Sequence, residues 1–364
     1  MSFLTAVPME LSALILLDWL NWKDISKLDC AMCSRDLRGV FLETLAYDLL
    51  VFPEIPCAGP KVVEWVVDRE VKFKKMPGSF IGTLPNYLID KLMKQTGPCL
   101  ERLEVPTTFA TVTDRVLFNV ELYCRKLSFF KIRDTTTTID DVVLKHNTEL
   151  RVLVISNCSS FGLQSVGVLT RCCRQLEVLF ANETDLCDQS LTMLVEAFPG
   201  IKILDCHHCE KVSALGVLAV GRNCPKLEEL YASCNLDRAT VLTFAQNCPN
   251  LTTFNISFGE SNLPDSAVDD TTLLALIDGC PRLQVCPCNE VDNILTGASI
   301  GKLRTNTLLI VGNSHITDDD ILEFALRNPN LMDIGLIKCR QLTVSSYHLL
   351  QQHCPTVERI KYFE

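Results

Sequence analysis

An apolar anchor that returns about every 26 residues governs what this chain can become. Its clearest copy is Cys224-Pro225-Lys226-Leu227-Glu228-Glu229-Leu230-Tyr231-Ala232-Ser233-Cys234, where Leu227, Leu230 and Ala232 keep an L-x-x-L-x-L spacing. The anchor position recurs as Leu100, Leu127, Leu150, Leu176, Ile201, Leu227, Leu251, Leu283, Thr305, Leu331 and Val357, at intervals of 22 to 32 residues. A short strand alternates its side chains, so Leu230 and Ala232 are expected to point into a core and Glu229, Tyr231 and Ser233 onto an open face. One such copy cannot bury its apolar side alone, whereas stacked copies bury a continuous core. The expected architecture is therefore a solenoid of strand and helix units.

Three residues before the anchor stands Cys124, Cys173, Cys224, Cys248, Cys280 or Cys354, and four of these precede proline, which cannot continue a helix. A second cysteine falls eight residues after the anchor, at Cys158, Cys209 and Cys339, with Asn313 in the same place after Thr305. These residues, with His315-Ile316-Thr317-Asp318 and Gln341-Leu342-Thr343, resemble the cysteine-containing subclass of leucine-rich repeats over roughly residues 95 to 364. The resemblance implies an α/β horseshoe with parallel strands on its concave face and helices on its convex face. It assigns residues 96–364 to about eleven repeats. Known members of the subclass occur mainly in F-box proteins.

The N-terminus bears on that point. Residues 8 to 20 read as a helix with proline in its first turn. Leu11, Leu14, Ile15, Leu16, Leu17, Trp19 and Leu20 cover nearly its whole circumference, so it needs burial on more than one side, against the solenoid or a partner. Asn21 caps a short second helix bearing Ile25 and Leu28, and a third follows Cys33-Ser34-Arg35 with Leu37, Phe41 and Leu45. Pro8-Met9-Glu10-Leu11, Ile15-Leu16, Leu20, Asp24-Ile25, Leu28 and Cys33-Ser34-Arg35 resemble an F-box, which makes residues 1–45 a helical module. The resemblance implies that Pro8, Leu11, Ile15, Leu16, Leu20, Ile25 and Leu28 bind the small adaptor of a cullin ubiquitin ligase. Residues 46–95 read as a linker with one irregular repeat, its strand at Val71-Lys72-Phe73 and its anchor at Asp68. An insertion near Gly259 to Asp270 reads as a surface loop.

The formal charge is 34 minus 44, or -10, with no basic block, which argues against nucleic acid as the main partner. The 19 cysteines are odd in number and locked to the repeat, so reduced core thiols in the cytosol or nucleus are expected rather than disulfides. No signal peptide or membrane span is read from the chain. Cys206-His207-His208-Cys209 has zinc-like spacing, yet Cys206 falls on an inward strand position and Cys209 on the turn position shared with Cys339. The repeat accounts for both, so no metal or cofactor is expected. No catalytic constellation stands out.

The outward strand positions offer a surface instead. Val152, Val154, Val178, Phe180 and Ile203 supply apolar area, bordered by Asp205, His207, Glu229 and Tyr231. Such a patch suits a protein substrate. The resemblance thus implies a non-catalytic substrate receptor of a cullin-type ligase. A stand-alone binding or scaffold protein, its N-terminal helices only capping the solenoid, remains the alternative.

Overall fold

Parallel strands alternate with helices in the computed structural model, which describes residues 8, 24, 27, 29, 35–46, 51–52, 60–82, 84–105, 110–135, 143–234, 236–257, 270–284, 296–305, 307–311, 315–337 and 339–363. Two units are distinguished, one of Met1–Val154 with Arg171–Gln175 and one of Ile155–Thr170 with Leu176–Glu364. Among the described residues no helix is long and apolar enough to cross a membrane.

The first unit begins with helix α1 (Arg35–Ala46), whose Phe41 and Leu45, four residues apart, lie buried on one face. Strand β1 (Val51–Phe52), helix α2 (Pro60–Asp68) and strand β2 (Lys72–Phe73) follow, with β1 and β2 paired in parallel. Next come β3 (Lys75–Met76), α3 (Gly78–Ile81) and α4 (Asn86–Thr96). After these come β4 (Arg102–Glu104), α5 (Ala110–Tyr123), β5 (Phe129–Lys131) and β6 (Val152–Val154). Strands β3 to β6 pair in parallel and in chain order.

Here the structure goes beyond the sequence reading, because strand and helix already alternate from residue 35. Asp68 is not an anchor. It ends α2 on the surface, and Val71 takes the buried place before β2. Glu70, at φ 54°, makes the left-handed turn that closes α2, while the Val71 N–H donates to the Val66 carbonyl. That C-terminal cap displaces the inward residue from where simple spacing puts it.

The second unit has two parallel sheets. One holds β7 (Val178–Phe180), β8 (Ile203–Cys206), β9 (Glu229–Ser233) and β10 (Thr253–Ser257). The other holds β11 (Thr307–Val311), β12 (Asp333–Ile337) and β13 (Arg359–Phe363). Between strands run α6 (Leu163–Cys172), α7 (Asp188–Ala197), α8 (Ala214–Asn223), α9 (Arg238–Asn247) and α10 (Asp270–Gly279). Helices α11 (Gly297–Ile300), α12 (Asp318–Arg327) and α13 (Val344–His353) complete the unit. Leu191, Leu194, Val195 and Phe198 are all buried, as the face expected for that helix requires. The helices approach closely enough that a Cβ on Gly279 would overlap the Ala245 carbonyl. The inserted loop lies outside the described residues up to Asp270.

The cysteines before the anchors have a common task. The Cys248 thiol donates to the Cys224 carbonyl at 3.5 Å, and the Cys280 thiol to the Cys248 carbonyl at 3.3 Å. Cys354 donates to Asn328 at 3.3 Å, and in the first unit Cys173 donates to Asn147 at 3.4 Å. The same carbonyls accept the anchor N–H of their own turn, as from Leu227, Leu251 and Leu331. Each thiol thus fills the second lone pair of a buried carbonyl in the preceding repeat. Asn147 and Asn328 occupy the equivalent slot, and their side-chain carbonyls accept the N–H of Leu127 and Thr305. By that bond and by the register of β11, Thr305 keeps the anchor position. The buried apolar role passes to Leu303, whose N–H closes the turn onto Ile300.

A second set of bonds ties successive helix starts. Asp188 accepts from the backbone N–H and hydroxyl of Ser213, both at 2.7 Å, and Asp318 accepts from the N–H and hydroxyl of Thr343. Asp270 does the same for Thr296. A carboxylate in the first turn suits the positive end of its own helix while it fixes the cap of the next. Just after the strand in four repeats, Asp134, Asn157, Glu183 and His208 sit seven residues after their anchors with φ from 53° to 57°. These left-handed residues turn the chain off the strand edge.

Candidate functional site

Of the expected adaptor-binding residues, Pro8 is exposed. Leu11, Ile15, Leu16, Leu20, Ile25 and Leu28 lie outside the described residues. Nearby, helical Asp29 is buried to 1% exposure and accepts from Trp65 Nε1 at 2.9 Å and Arg69 Nε at 3.0 Å. Arg38 Nη2 stands 3.1 Å from its other oxygen, and the Arg69 guanidinium lies over the Trp65 ring at 5.4 Å. A carboxylate in this position requires such partners, since burial without them costs several kcal/mol. The clamp joins the N-terminal helical segment to α1 and α2. Sequence reading missed it because its members are 36 and 40 residues apart with no repeat to relate them.

Seven of the nine expected substrate-facing residues belong to the second unit. Parallel register places Val178, Ile203, Glu229 and Thr253 in one row, and Phe180, Asp205, Tyr231 and Asn255 in the next. All are half-buried, because neighbours on strands about 4.8 Å apart shade one another. His207 continues the surface beyond Asp205. Its N–H donates to Asp205 Oδ1 at 3.0 Å, and its ring lies 5.7 Å from the Tyr231 ring. Tyr231 in turn donates its hydroxyl to Glu229 Oε2 at 2.9 Å. Burial, with that bond to Glu229, pushes the Tyr231 hydroxyl up to about 12. Burial lowers the His207 pKa against the opposing pull of Asp205, so both rings are neutral near pH 7 and the negative charge of the face rests on carboxylates.

Val152 and Val154 lie on β6 of the first unit, in register with Phe129 and Lys131. Val152 is half-buried, but Val154 is only 6% exposed, less than the open position expected for it. Its register partner is Lys131, whose ammonium reaches toward Glu104 on β4. The outward residues of the earlier strands, Lys75, Arg102, Glu104, Phe129 and Lys131, were not among those expected. The signal for the last four was available two and four residues after Leu100 and Leu127.

Both cysteines of the Cys206-His207-His208-Cys209 stretch donate to backbone carbonyls. The Cys206 thiol donates to the Tyr231 carbonyl at 3.3 Å, and Cys209 to Ala181 at 3.2 Å. Burial raises both thiols above their ordinary value. Among the described residues no three metal-ligating side chains converge, and the described cysteines are free. Beside His208 lies a cleft of about 580 Å³ lined by Ser159, Glu183, Thr184, Asp185, Glu210 and Lys211. Its only cation, Lys211, is paired with Asp185 at 2.5 Å.

No family model matches the chain. The F-box protein FBX14 of Arabidopsis thaliana is 28% identical over 143 residues, covering 34% of this chain and 22% of that protein. The chain thus spans about a fifth of the length of that curated relative. Among solved structures it is similar to one titled as the Rad7 and Elc1 complex in yeast, with a TM-score of 0.56 and 17% identity over 92% of this chain and 89% of that one. This likeness, together with the parallel strands and the repeat-to-repeat bonds, defines the fold as a leucine-rich-repeat-like α/β solenoid.

Proposed function

We propose that the chain is the substrate-recognition subunit of a cullin-type ubiquitin ligase, working in the cytosol or nucleus. Its N-terminal helices dock a small adaptor through Pro8, Leu11, Ile15, Leu16, Leu20, Ile25 and Leu28, and its strand faces hold a protein substrate. The observation that carries the substrate half is the pair of register rows, Val178, Ile203 and Glu229 in one and Phe180, Asp205 and Tyr231 in the next, on one sheet face. Apolar and aromatic area with a polar border is the composition of a protein interface. The likeness to an F-box protein supports the adaptor half, as does the presence of Elc1 beside Rad7 in the similar structure. Such a subunit performs no covalent step. It raises the effective concentration of substrate near an enzyme carried by other subunits.

The Asp29 clamp gives the scaffold alternative a specific footing, because a cap on the solenoid also needs a fixed attachment to the repeats. A pull-down with two purified adaptors, the F-box adaptor and Elc1, separates the readings. The ligase reading expects the intact chain to retain one of them and a Leu16→Glu, Leu20→Glu variant to lose it. If the folded intact chain retains neither, the N-terminal segment is a cap.

A further inference from the structure

The open face of the first unit differs in charge from that of the second. On β3 to β5 the outward residues are Lys75, Arg102, Phe129, Glu104 and Lys131, three cations against one carboxylate, or +2. The corresponding rows on β7 to β10 carry Asp205 and Glu229 and no lysine or arginine, or -2. A basic strand face in a chain of net charge -10 is not an average property of the molecule.

The cations are also held in place. The Arg102 guanidinium lies 3.4 Å from the centre of the Phe129 ring, stacked on its strand neighbour. Its Nη2 donates to Glu104 Oε1 at 2.8 Å, and Lys131 Nζ reaches Glu104 Oε2 at 3.3 Å. Burial alone would raise the Glu104 carboxyl, but the hydrogen bonds and charges of Arg102 and Lys131 outweigh it and hold the pKa below its ordinary value. One carboxylate therefore positions two cations and neutralises one. Arg102 and Lys131 remain 41% and 34% exposed, and the other Arg102 N–H groups have no partner among the described residues. Lys75, in register with Arg102, is exposed and has no ion pair among the described residues.

We propose that this face binds an acidic peptide segment of the partner protein, its carboxylates or phosphates meeting Arg102, Lys131 and Lys75 and its apolar part lying along Phe129 and Val152. Calling that partner a substrate rests on the receptor reading above. Fixed donors lose little freedom on binding, and an anion finds there the charge it complements. Three cations on three adjacent strands, Lys131 one row beyond Lys75 and Arg102, suit a short acidic stretch rather than the long phosphate track of a nucleic acid.

The test is fluorescence anisotropy with the full chain and four labelled probes: hexaglutamate, a phosphoserine-bearing peptide of equal length, hexalysine and a six-nucleotide single strand. The expected result is binding of the two acidic peptides that weakens with salt, over a Debye length of about 8–10 Å at 0.10–0.15 M. A double variant, Arg102→Glu with Lys131→Glu, should bind about tenfold more weakly. Lys75→Glu, at an exposed site, should cost about threefold and decides the matter if the double variant melts early. Tighter binding of the phosphoserine peptide would name a modified partner, and equal binding a plainly acidic one. Binding of hexaglutamate no tighter than hexalysine, unchanged affinity in folded variants, or preference for the oligonucleotide would each overturn the proposal. Loss of adaptor binding with peptide binding intact would remove the ligase reading and leave this face standing.

Discussion

Cys173, Cys248, Cys280 and Cys354 act as hydrogen-bond donors that are apolar enough for a core. Cys248 fills the second lone pair of the Cys224 carbonyl while its own carbonyl serves Leu251 and Cys280. Cys248→Ala should therefore destabilise the protein by about 1–3 kcal/mol, through a lost bond and a small cavity, read from the urea midpoint. Burial pushes Cys124, Cys173, Cys224, Cys234 and Cys248 to about 12, and Cys280 to about 11. At Cys187 burial acts the same way, but bonds from Ser190 and the Gln189 backbone outweigh it and lower the pKa. Iodoacetamide at pH 7.4 should modify Cys187 well before those six, as peptide mass spectrometry would show. The linkage has a definite sign. A thiol with a raised folded pKa stabilises the fold fully below the ordinary value of 9.0. That contribution is lost as pH climbs toward 12, so the melting temperature should fall steeply above pH 9.

Among elements, the least expected contact is the one made by Asp29. Its carboxylate joins a helical residue near the N-terminus to Trp65 and Arg69 at the far end of α2. Asp29→Ala should lower stability by about 2–3 kcal/mol, because Trp65 loses its acceptor and two arginines lose their counter-ion. Asp29→Asn keeps an acceptor for Trp65 and should cost less. Differential scanning calorimetry of the two variants checks the order. This contact could not be read from the sequence, since neither period nor motif relates its members. The repeat was legible because Leu100, Leu150, Ile201, Leu227, Leu251 and Leu331 close the same turn before a strand, and a spacing rule captures that. It failed at Asp68, where a left-handed Glu70 caps α2 and moves the buried residue to Val71. It also failed at β1, where two residues make a strand too short to carry a pattern. In the Thr305 unit the register held while Leu303 took over the burial.

On the scale of the whole molecule, the outward strand face was legible in part. The outward positions of β7 to β9 follow from the anchors, and the structure aligns Val178 with Ile203 and Phe180 with Asp205 and Tyr231. Val154 was counted as open and is buried. Arg102 and Phe129 were overlooked although the same spacing reaches them, because outward positions were followed only from the Leu150 unit onward. Solenoids vary such outward positions freely over a constant frame, and here the ladders of cysteine, asparagine and aspartate tie one repeat to the next.

The central claim is that one chain brings an adaptor and a substrate together for degradation of the substrate. It is tested most directly by measuring protein half-lives across the proteome in cells that carry the intact chain, the Leu16→Glu, Leu20→Glu variant, or a Phe180→Ala, Tyr231→Ala variant. The account predicts that a common set of proteins turns over faster with the intact chain and is lengthened in lifetime by either variant. Lifetimes indifferent to the chain, or two variants with unrelated effects, would contradict it.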